Sequence, residues 1–228
     1  MCDHTAHLGV ADTFALFMDI ATDDAERLGM GAEAMAGRGL FWLTTKTKVC
    51  FHRRPAMMAD VTVSTCPQNP ERIRWIREYG LEQDGEILAR GKTEWVVLET
   101  DSGRMHPIAD IVPEGWEPPP APEVPEPFAK VRMDAKAGEE LGRWRVRSTD
   151  IDLGGHMNNV AYVRALMAQF TTAQWEDFPV REMDVIFRAP CYEGDELIFR
   201  MRRSGEDAVE VGAFLPDGTG VLLARLVK

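Results

Sequence analysis

The apolar and polar positions of this chain fall into two successive patterns, each a helical stripe followed by several alternating segments. In ADTFALFMDIATDDAERLG, residues Phe14, Phe17, Met18, Ala21, Ala25 and Leu28 recur at three- and four-residue spacing on one face, which predicts a helix. Strand-like segments follow at Phe41 to Phe51, Asp60 to Thr65, Arg72 to Leu81 and Glu86 to Glu99. The last of them alternates Ala89, Thr93, Trp95 and Val97 against Arg90, Lys92 and Glu94, and Asp84-Gly85 before it reads as a hairpin turn.

The second pattern has the same order in shorter form. A strand WRVRS, a loop and a helix NNVAYVRALMAQF precede strands from Met183, Glu196, Ala208 and Gly220, with Asp217-Gly218 between the final two. Between the patterns, seven of the fifteen residues from Pro113 to Pro127 are proline, interleaved with glutamate, which favours an extended, semi-rigid connector. The chain thus divides into residues 1–110, a Pro/Glu-rich linker at 111–140, and residues 141–228. Landmarks pair across the halves: Asp3 and His7 match Asp152 and His156 at an offset of 149, Phe51 matches Phe187 at 136, Asp60 matches Asp195 at 135, and Asp84 matches Asp217 at 133. One deletion after the second helix accounts for most of the drift, and loops absorb deletions readily. An internal duplication is inferred. A long helix followed by four or five antiparallel strands buries its stripe by letting the sheet wrap around it. Two such units joined edge to edge would remove two exposed strand edges. The expected fold class is therefore α+β: two tandem hot-dog units, each a long helix wrapped by an antiparallel sheet, joined by the Pro-rich linker.

Charge and cysteine content narrow the function classes. With 26 Lys and Arg against 37 Asp and Glu, the net charge of -11 repels a phosphate backbone and argues against a nucleic-acid partner. No apolar run of about 18 residues is present, so no membrane span is expected. Cys2, Cys50, Cys66 and Cys191 form no CxxC pair, and the start MCDHTAHLG lacks a basic segment followed by an apolar stretch. A reduced, cytoplasmic, enzyme-like protein with no metal site and no cofactor is expected.

The chemistry concentrates in STDIDLGGHMNNVAYV, Ser148 to Val163, where a strand ends, two glycines permit a tight turn and a helix begins. Asn158 or Asn159 is a candidate N-cap, which leaves the first helical N–H groups pointing into the turn, where they stabilise an oxyanion such as that of an attacked thioester. Asp152 and His156 lie four apart on that turn, so either can activate a water or hold the other in the needed protonation state. Asp152 is favoured as the base or its orienting partner, and His156 as the group contacting water or substrate. The plainer alternatives are an Asx turn at Asp150 or Asp152, a satisfied histidine, and asparagines that only cap.

In these residues the chain resembles the acyl-ACP thioesterase family, double hot-dog enzymes that release fatty acids from acyl carrier protein. DIDLGGHMNNVAY carries the resemblance most sharply, with RGLFWLTTKTKVCFHRRP, GEILARGKTEWVVLETDSGRMHPI and DVIFRAPCYEGDEL in support. The family motif runs Asp, Asn two residues on, His two further on, then a hydrophobic residue and two asparagines. Asp152, His156, Met157, Asn158 and Asn159 match it, and Gly154 stands where the family has its Asn. In the strand after the helix, plant members carry an acidic residue before a Cys, where this chain has Pro190-Cys191. The resemblance implies a catalytic set of Asp152, His156, Asn158 and Cys191, with Gly155, Asn158 and Asn159 at the oxyanion. Cys191 is either a thiolate nucleophile or a small apolar filler. The N-terminal half, whose counterpart loop is DHTAHLG, is implied to shape the acyl pocket without catalysing, with Phe14, Phe17, Met18 and Trp42 around the chain.

The implied acyl donor is acyl carrier protein or coenzyme A, and a homodimer is compatible with this reading. Either donor would call for a local basic patch, for which Arg53-Arg54, Arg143, Arg145, Arg147, Arg200, Arg202 and Arg203 are candidates. Two competing readings are a non-catalytic module that binds acyl chains or carrier protein, and a hot-dog hydratase or dehydratase. Hydratases usually place Asp and His five apart with Asn-Pro between them, whereas this chain has four and Gly-Gly.

Overall fold

The first apolar stripe becomes the buried face of α1 (Val10–Arg27) in the computed structural model, which describes residues 1–118, 124 and 126–228. Phe14, Phe17 and Ala21 are buried along it, while Asp19, Thr22 and Asp23 on the other side are exposed. The chain groups into two units, Thr13–Pro127, and Met1–Asp12 together with Phe128–Lys228.

In the first unit, strands β1 (Leu40–Phe51), β2 (Thr62–Pro67), β3 (Trp75–Gln83) and β4 (Glu86–Glu99) form an antiparallel sheet in the order β2-β3-β4-β1. A two-residue strand β5 (Met105–His106) pairs with β4. Asp84 and Gly85 both adopt positive φ, 53° and 81°, as the tight hairpin joining β3 to β4 requires. The helix-facing side of this sheet is set by aromatic packing: the Phe17 ring stacks on Tyr79 with centroids 4.8 Å apart. Gly91 on β4 makes room for it, since a Cβ there would lie 2.5 Å from the Phe17 ring. An ion pair between Arg77 Nη1 and Asp24 Oδ2, at 2.6 Å, also ties β3 to α1. A short helix α2 (Ala32–Ala36) contributes Met35 to a cluster with Met30, Leu40, Trp75, Val97, Ile108 and Ile111.

Glu78 and Lys92, cross-strand partners on β3 and β4, are buried and grip one linker residue. Lys92 Nζ donates to the Val124 carbonyl at 2.8 Å, and the Val124 N–H donates to Glu78 Oε1 at 3.2 Å. For residues 119–123 and 125 the extended-connector expectation lies outside the described residues.

In the second unit, β6 (Glu139–Arg145), β7 (Glu182–Phe187), β8 (Glu196–Arg203), β9 (Ala208–Phe214) and β10 (Gly220–Val227) form an antiparallel sheet in the order β7-β10-β9-β8-β6. The helix α3 (Asn159–Met167) buries Val160, Ala161, Tyr162, Val163, Ala165 and Leu166, and its Tyr162 ring meets Phe187 of β7 edge-on at 5.9 Å. Both halves are thus helix-in-sheet units of hot-dog type.

Several boundaries differ from those expected, β2 and β3 by two to three residues and two further elements in ways the sequence explains. The strand placed at WRVRS begins at Glu139 and ends at Arg145, after which Ser148–Asp150 forms a 3-10 turn. The Asp150 carboxylate bends the backbone there by accepting the Arg147 N–H at 2.9 Å and the Trp144 indole N–H at 3.0 Å. The helix expected to reach Phe170 stops at Met167, and a separate short helix α4 (Thr172–Asp177) starts on a capping box between Thr171 and Gln174.

Candidate active site

The loop from Asp152 to Met157 closes on itself through backbone hydrogen bonds. The Asp152 N–H donates to the His156 carbonyl (3.0 Å), the Gly155 N–H to the Asp152 carbonyl (3.0 Å), and the Gly154 N–H to Asp152 Oδ1 (2.8 Å). The same three bonds recur 149 residues earlier: Asp3 to His7 (2.8 Å), Ala6 to Asp3 (3.0 Å), and Thr5 to Asp3 Oδ1 (2.9 Å). Gly155 and Ala6 share a left-handed backbone, φ 74° and 57°. Isolated bridges, Ile151 with Met157 and Cys2 with Leu8, complete the match. The offset read from the sequence is therefore a repeat of hydrogen bonds, and both loops belong to the second unit.

The side chains of the two loops differ. In the first, Thr5 Oγ1 donates to Asp3 Oδ1 at 2.6 Å, and His7 Nδ1 bonds the Thr5 carbonyl at 2.7 Å. A carbonyl only accepts, so His7 carries its proton on Nδ1. In the second, Gly154 supplies no side chain. Asp152 Oδ1 and His156 Nδ1 each lie 3.1 Å from the point where a Cβ on Gly154 would sit, so the two atoms converge there. Asp152 is exposed and His156 half-buried, and among the described residues no hydrogen bond joins them.

At the head of α3, Asn158 is the N-cap, its Oδ1 accepting the Val160 N–H at 2.8 Å. This geometry corrects the oxyanion donors expected from sequence. The Gly155 N–H is taken by Asp152, and the Asn158 N–H donates to the Asp150 carbonyl at 2.8 Å. Closing the loop uses both amides internally. The Asn159 N–H and the Asn158 side-chain amide are among the donors at the head of α3 left without an acceptor among the described residues.

A second segment is fastened to this loop by the Met157 N–H, which donates to the Cys191 carbonyl at 2.8 Å. The Cys191 side chain is fully buried, and burial pushes its thiol up to about 11, against a hydrogen bond from Tyr162 and with Asp195 reinforcing the rise. At neutral pH the thiol stays protonated, which argues against the thiolate nucleophile and for the apolar filler. Cys191→Ala is accordingly expected to hydrolyse substrate within twofold of the wild-type rate while losing about 1 kcal/mol of stability. A drop of tenfold or more in steady-state kcat would restore a chemical role for the sulfur. The residue after it, Tyr192, was not singled out in the sequence, yet its ring lies 5.4 Å from that of His156.

The expected acyl-pocket residues occupy the first unit. Phe14 and Phe17 are buried and Met18 half-buried on α1. Trp42 donates its indole N–H to the Met30 carbonyl at 2.8 Å and packs against Trp75 and Trp95. Phe17 and Trp42 are linked through one row of side chains: Phe17 on Tyr79, Tyr79 hydroxyl to Thr93 at 2.8 Å, Thr93 to the Trp95 indole, and Trp95 against Trp42.

The basic patch is less available than its sequence suggested. Arg143 pairs with Glu140 and Glu196, Arg202 with Glu210, Arg53 with Glu86, and Arg200 donates to the Ala137 and Gly138 carbonyls. Arg145, Arg147 and Arg203 are exposed and carry no ion pair among the described residues.

Two helix-in-sheet units and a pair of equivalent loops, each holding an Asp and a His, define a tandem hot-dog protein with its candidate acid-base loop at the start of α3. Family models described as the acyl-ACP thioesterase N-terminal domain and C-terminal domain match residues 1–115 and 133–212. The chain belongs to the acyl-ACP thioesterase family. It is 26% identical over 217 residues to a palmitoyl-acyl carrier protein thioesterase, chloroplastic, of Gossypium hirsutum, covering 86% of this chain and 52% of that protein. To oleoyl-acyl carrier protein thioesterase 2, chloroplastic, of Arabidopsis thaliana it is 21% identical over 197 residues, covering 79% and 54%. The chain thus spans about half the length of these curated relatives. Its fold matches the crystal structure of an acyl-ACP thioesterase from Bacteroides thetaiotaomicron with a TM-score of 0.88 at 17% identity, covering 99% of this chain and 91% of that one. It also matches a 12:0-ACP thioesterase from Umbellularia californica with a TM-score of 0.83 at 18% identity, covering 99% and 92%. No helix among the described residues is long and apolar enough to cross a membrane.

Proposed function

We propose that this protein hydrolyses fatty acyl thioesters of acyl carrier protein, with coenzyme A esters as the alternative donor, releasing a free fatty acid and a thiol. The observation that carries this reading is the convergence of Asp152 Oδ1 and His156 Nδ1 beside Gly154 at the head of α3, within the stretch 133–212 that matches the family's C-terminal domain. The thioester carbonyl would lie with its oxygen toward the Asn159 N–H and the Asn158 side-chain amide, which stabilise the negative charge that grows on it during attack. A water between Asp152 and His156 loses a proton to the imidazole as its oxygen bonds to the acyl carbon. The Asp152 carboxylate lies beside the imidazolium so formed, across the Gly154 position. The intermediate then collapses, the carbon–sulfur bond breaks, and the imidazolium returns the proton to the departing sulfur. Cys191 takes no part, and Phe14, Phe17, Met18 and Trp42 of the first unit are the side chains that would surround the acyl chain. The cysteine usage, with no CxxC pair, suits the reducing cytoplasm as the setting.

The experiment that tests this is a panel of acyl-ACP and acyl-CoA substrates of several chain lengths, with thiol release as the readout. Release from at least one of them is expected. The competing reading is a non-catalytic acyl-binding module, favoured by Gly154 at the family's Asn position and by the Asx turn that engages Asp152. Saturable acyl binding without thiol release from any substrate would select it. Gly154→Asn gives a further check. The new Cβ would meet Asp152 Oδ1 and His156 Nδ1 at 3.1 Å, which small shifts of two side chains relieve, and the amide would add a donor between them. A rise in kcat of about threefold or more is expected, with little change in melting temperature. A fall in kcat would mean that the amide obstructs the water it was expected to hold.

A further inference from the structure

The His156 imidazole has no hydrogen-bond partner among the described residues, in contrast to His7, whose Nδ1 is fixed by the Thr5 carbonyl at 2.7 Å. A histidine that must present one nitrogen to a water needs its ring orientation set by something else. The one aromatic contact of this imidazole among the described residues is with Tyr192, at 5.4 Å between centroids and 55° between planes. The turn bearing Tyr192 is braced at several points. The Cys191 carbonyl accepts the Met157 N–H (2.8 Å), the Tyr192 N–H donates to Asp195 Oδ2 (2.8 Å), and Val146 exchanges bonds with Gly194 and Asp195 at 3.0 and 2.9 Å. The Met157 bond joins the residue after His156 to the residue before Tyr192, so the two rings are held in one register. Tyr192 is 52% exposed, and its hydroxyl has no partner among the described residues. The two rings meet tilted, with no hydrogen bond from the hydroxyl to the imidazole among the described residues.

We propose that Tyr192 is a positioning residue for His156, holding the imidazole turned toward the point it shares with Asp152. This rests on the thioesterase reading. It assigns to an aromatic side chain the orienting role that a hydrogen bond fills for His7. Ring contacts of this kind restrict rotation and keep a reacting group near its productive geometry.

The test compares Tyr192→Ala and Tyr192→Phe with the wild type, in kcat and KM and in the ring resonances of isotope-labelled histidine, those of His156 being assigned with His156→Ala. In Tyr192→Ala the His156 ring resonances move as the neighbouring ring current is lost, kcat falls about tenfold, and KM stays within twofold. Tyr192→Phe restores both signals. Because Tyr192 is half exposed, the melting temperature of either variant stays close to that of the wild type. A kcat in Tyr192→Ala within twofold of the wild type, or a raised KM with unchanged kcat, would overturn the role. If His156→Ala is inactive while Tyr192→Ala is unimpaired, only the inference about Tyr192 fails. If His156→Ala itself keeps the wild-type rate, the active-site reading fails and takes this role with it.

Discussion

Replacing His156 with alanine is expected to lower kcat for acyl-ACP hydrolysis by about a hundredfold or more, the loss that follows removal of a positioned acid-base group. The half-buried imidazole belongs to a loop whose backbone bonds do not use its side chain, so the variant keeps its fold and its melting temperature. Asp152→Asn is expected to have an effect of the same order. Asparagine retains an oxygen that accepts the Gly154 N–H, so the turn survives and only the charge beside the imidazole is lost. Steady-state kinetics with a saturating acyl-ACP substrate checks both. Wild-type turnover in the two variants would place the chemistry elsewhere in the molecule.

The second large effect concerns stability. Phe17→Ala is expected to destabilise the protein by about 3–5 kcal/mol, measured by denaturant unfolding. The ring is fully buried, stacked on Tyr79, and seated over Gly91, so removing it opens a cavity between helix and sheet that neighbours cannot readily fill. The Tyr79 hydroxyl beneath it is pushed up to about 12 by burial, against its bond to Thr93, so it stays neutral and adds no charge to the cavity. Loss of less than about 1 kcal/mol would mean that this contact is not the joint between α1 and the sheet.

What the sequence disclosed and what it hid follow from the range of the interactions. The stripe from Phe14 to Leu28, the Asp84-Gly85 hairpin and the repeat of Asp3 and His7 at Asp152 and His156 are local patterns, and each has its structural counterpart. Strand β6 was misplaced because among the described residues it pairs with β8 alone and its residues are shallowly buried, leaving little apolar alternation to read. Helix α4 carried a usable signal in Thr171 and Gln174, the two ends of a capping box, but six residues make no stripe. The candidate oxyanion amides of Gly155 and Asn158 were misjudged because residue types do not tell which N–H groups a loop uses to close on itself. Tyr192 was beyond reach for another reason. It lies 36 positions after His156, and tertiary contacts such as the bond between the Met157 amide and the Cys191 carbonyl bring the two together. The same holds for the row from Phe17 through Tyr79 and Trp95 to Trp42, which three strands and a helix assemble.

The most direct test of the whole account is the appearance of free thiol when the purified wild-type protein is mixed with acyl-ACP. The account predicts saturable release in proportion to protein concentration, with one fatty acid formed for each thiol. Intact acyl-ACP bound to the protein, with no thiol above the buffer control, would contradict it.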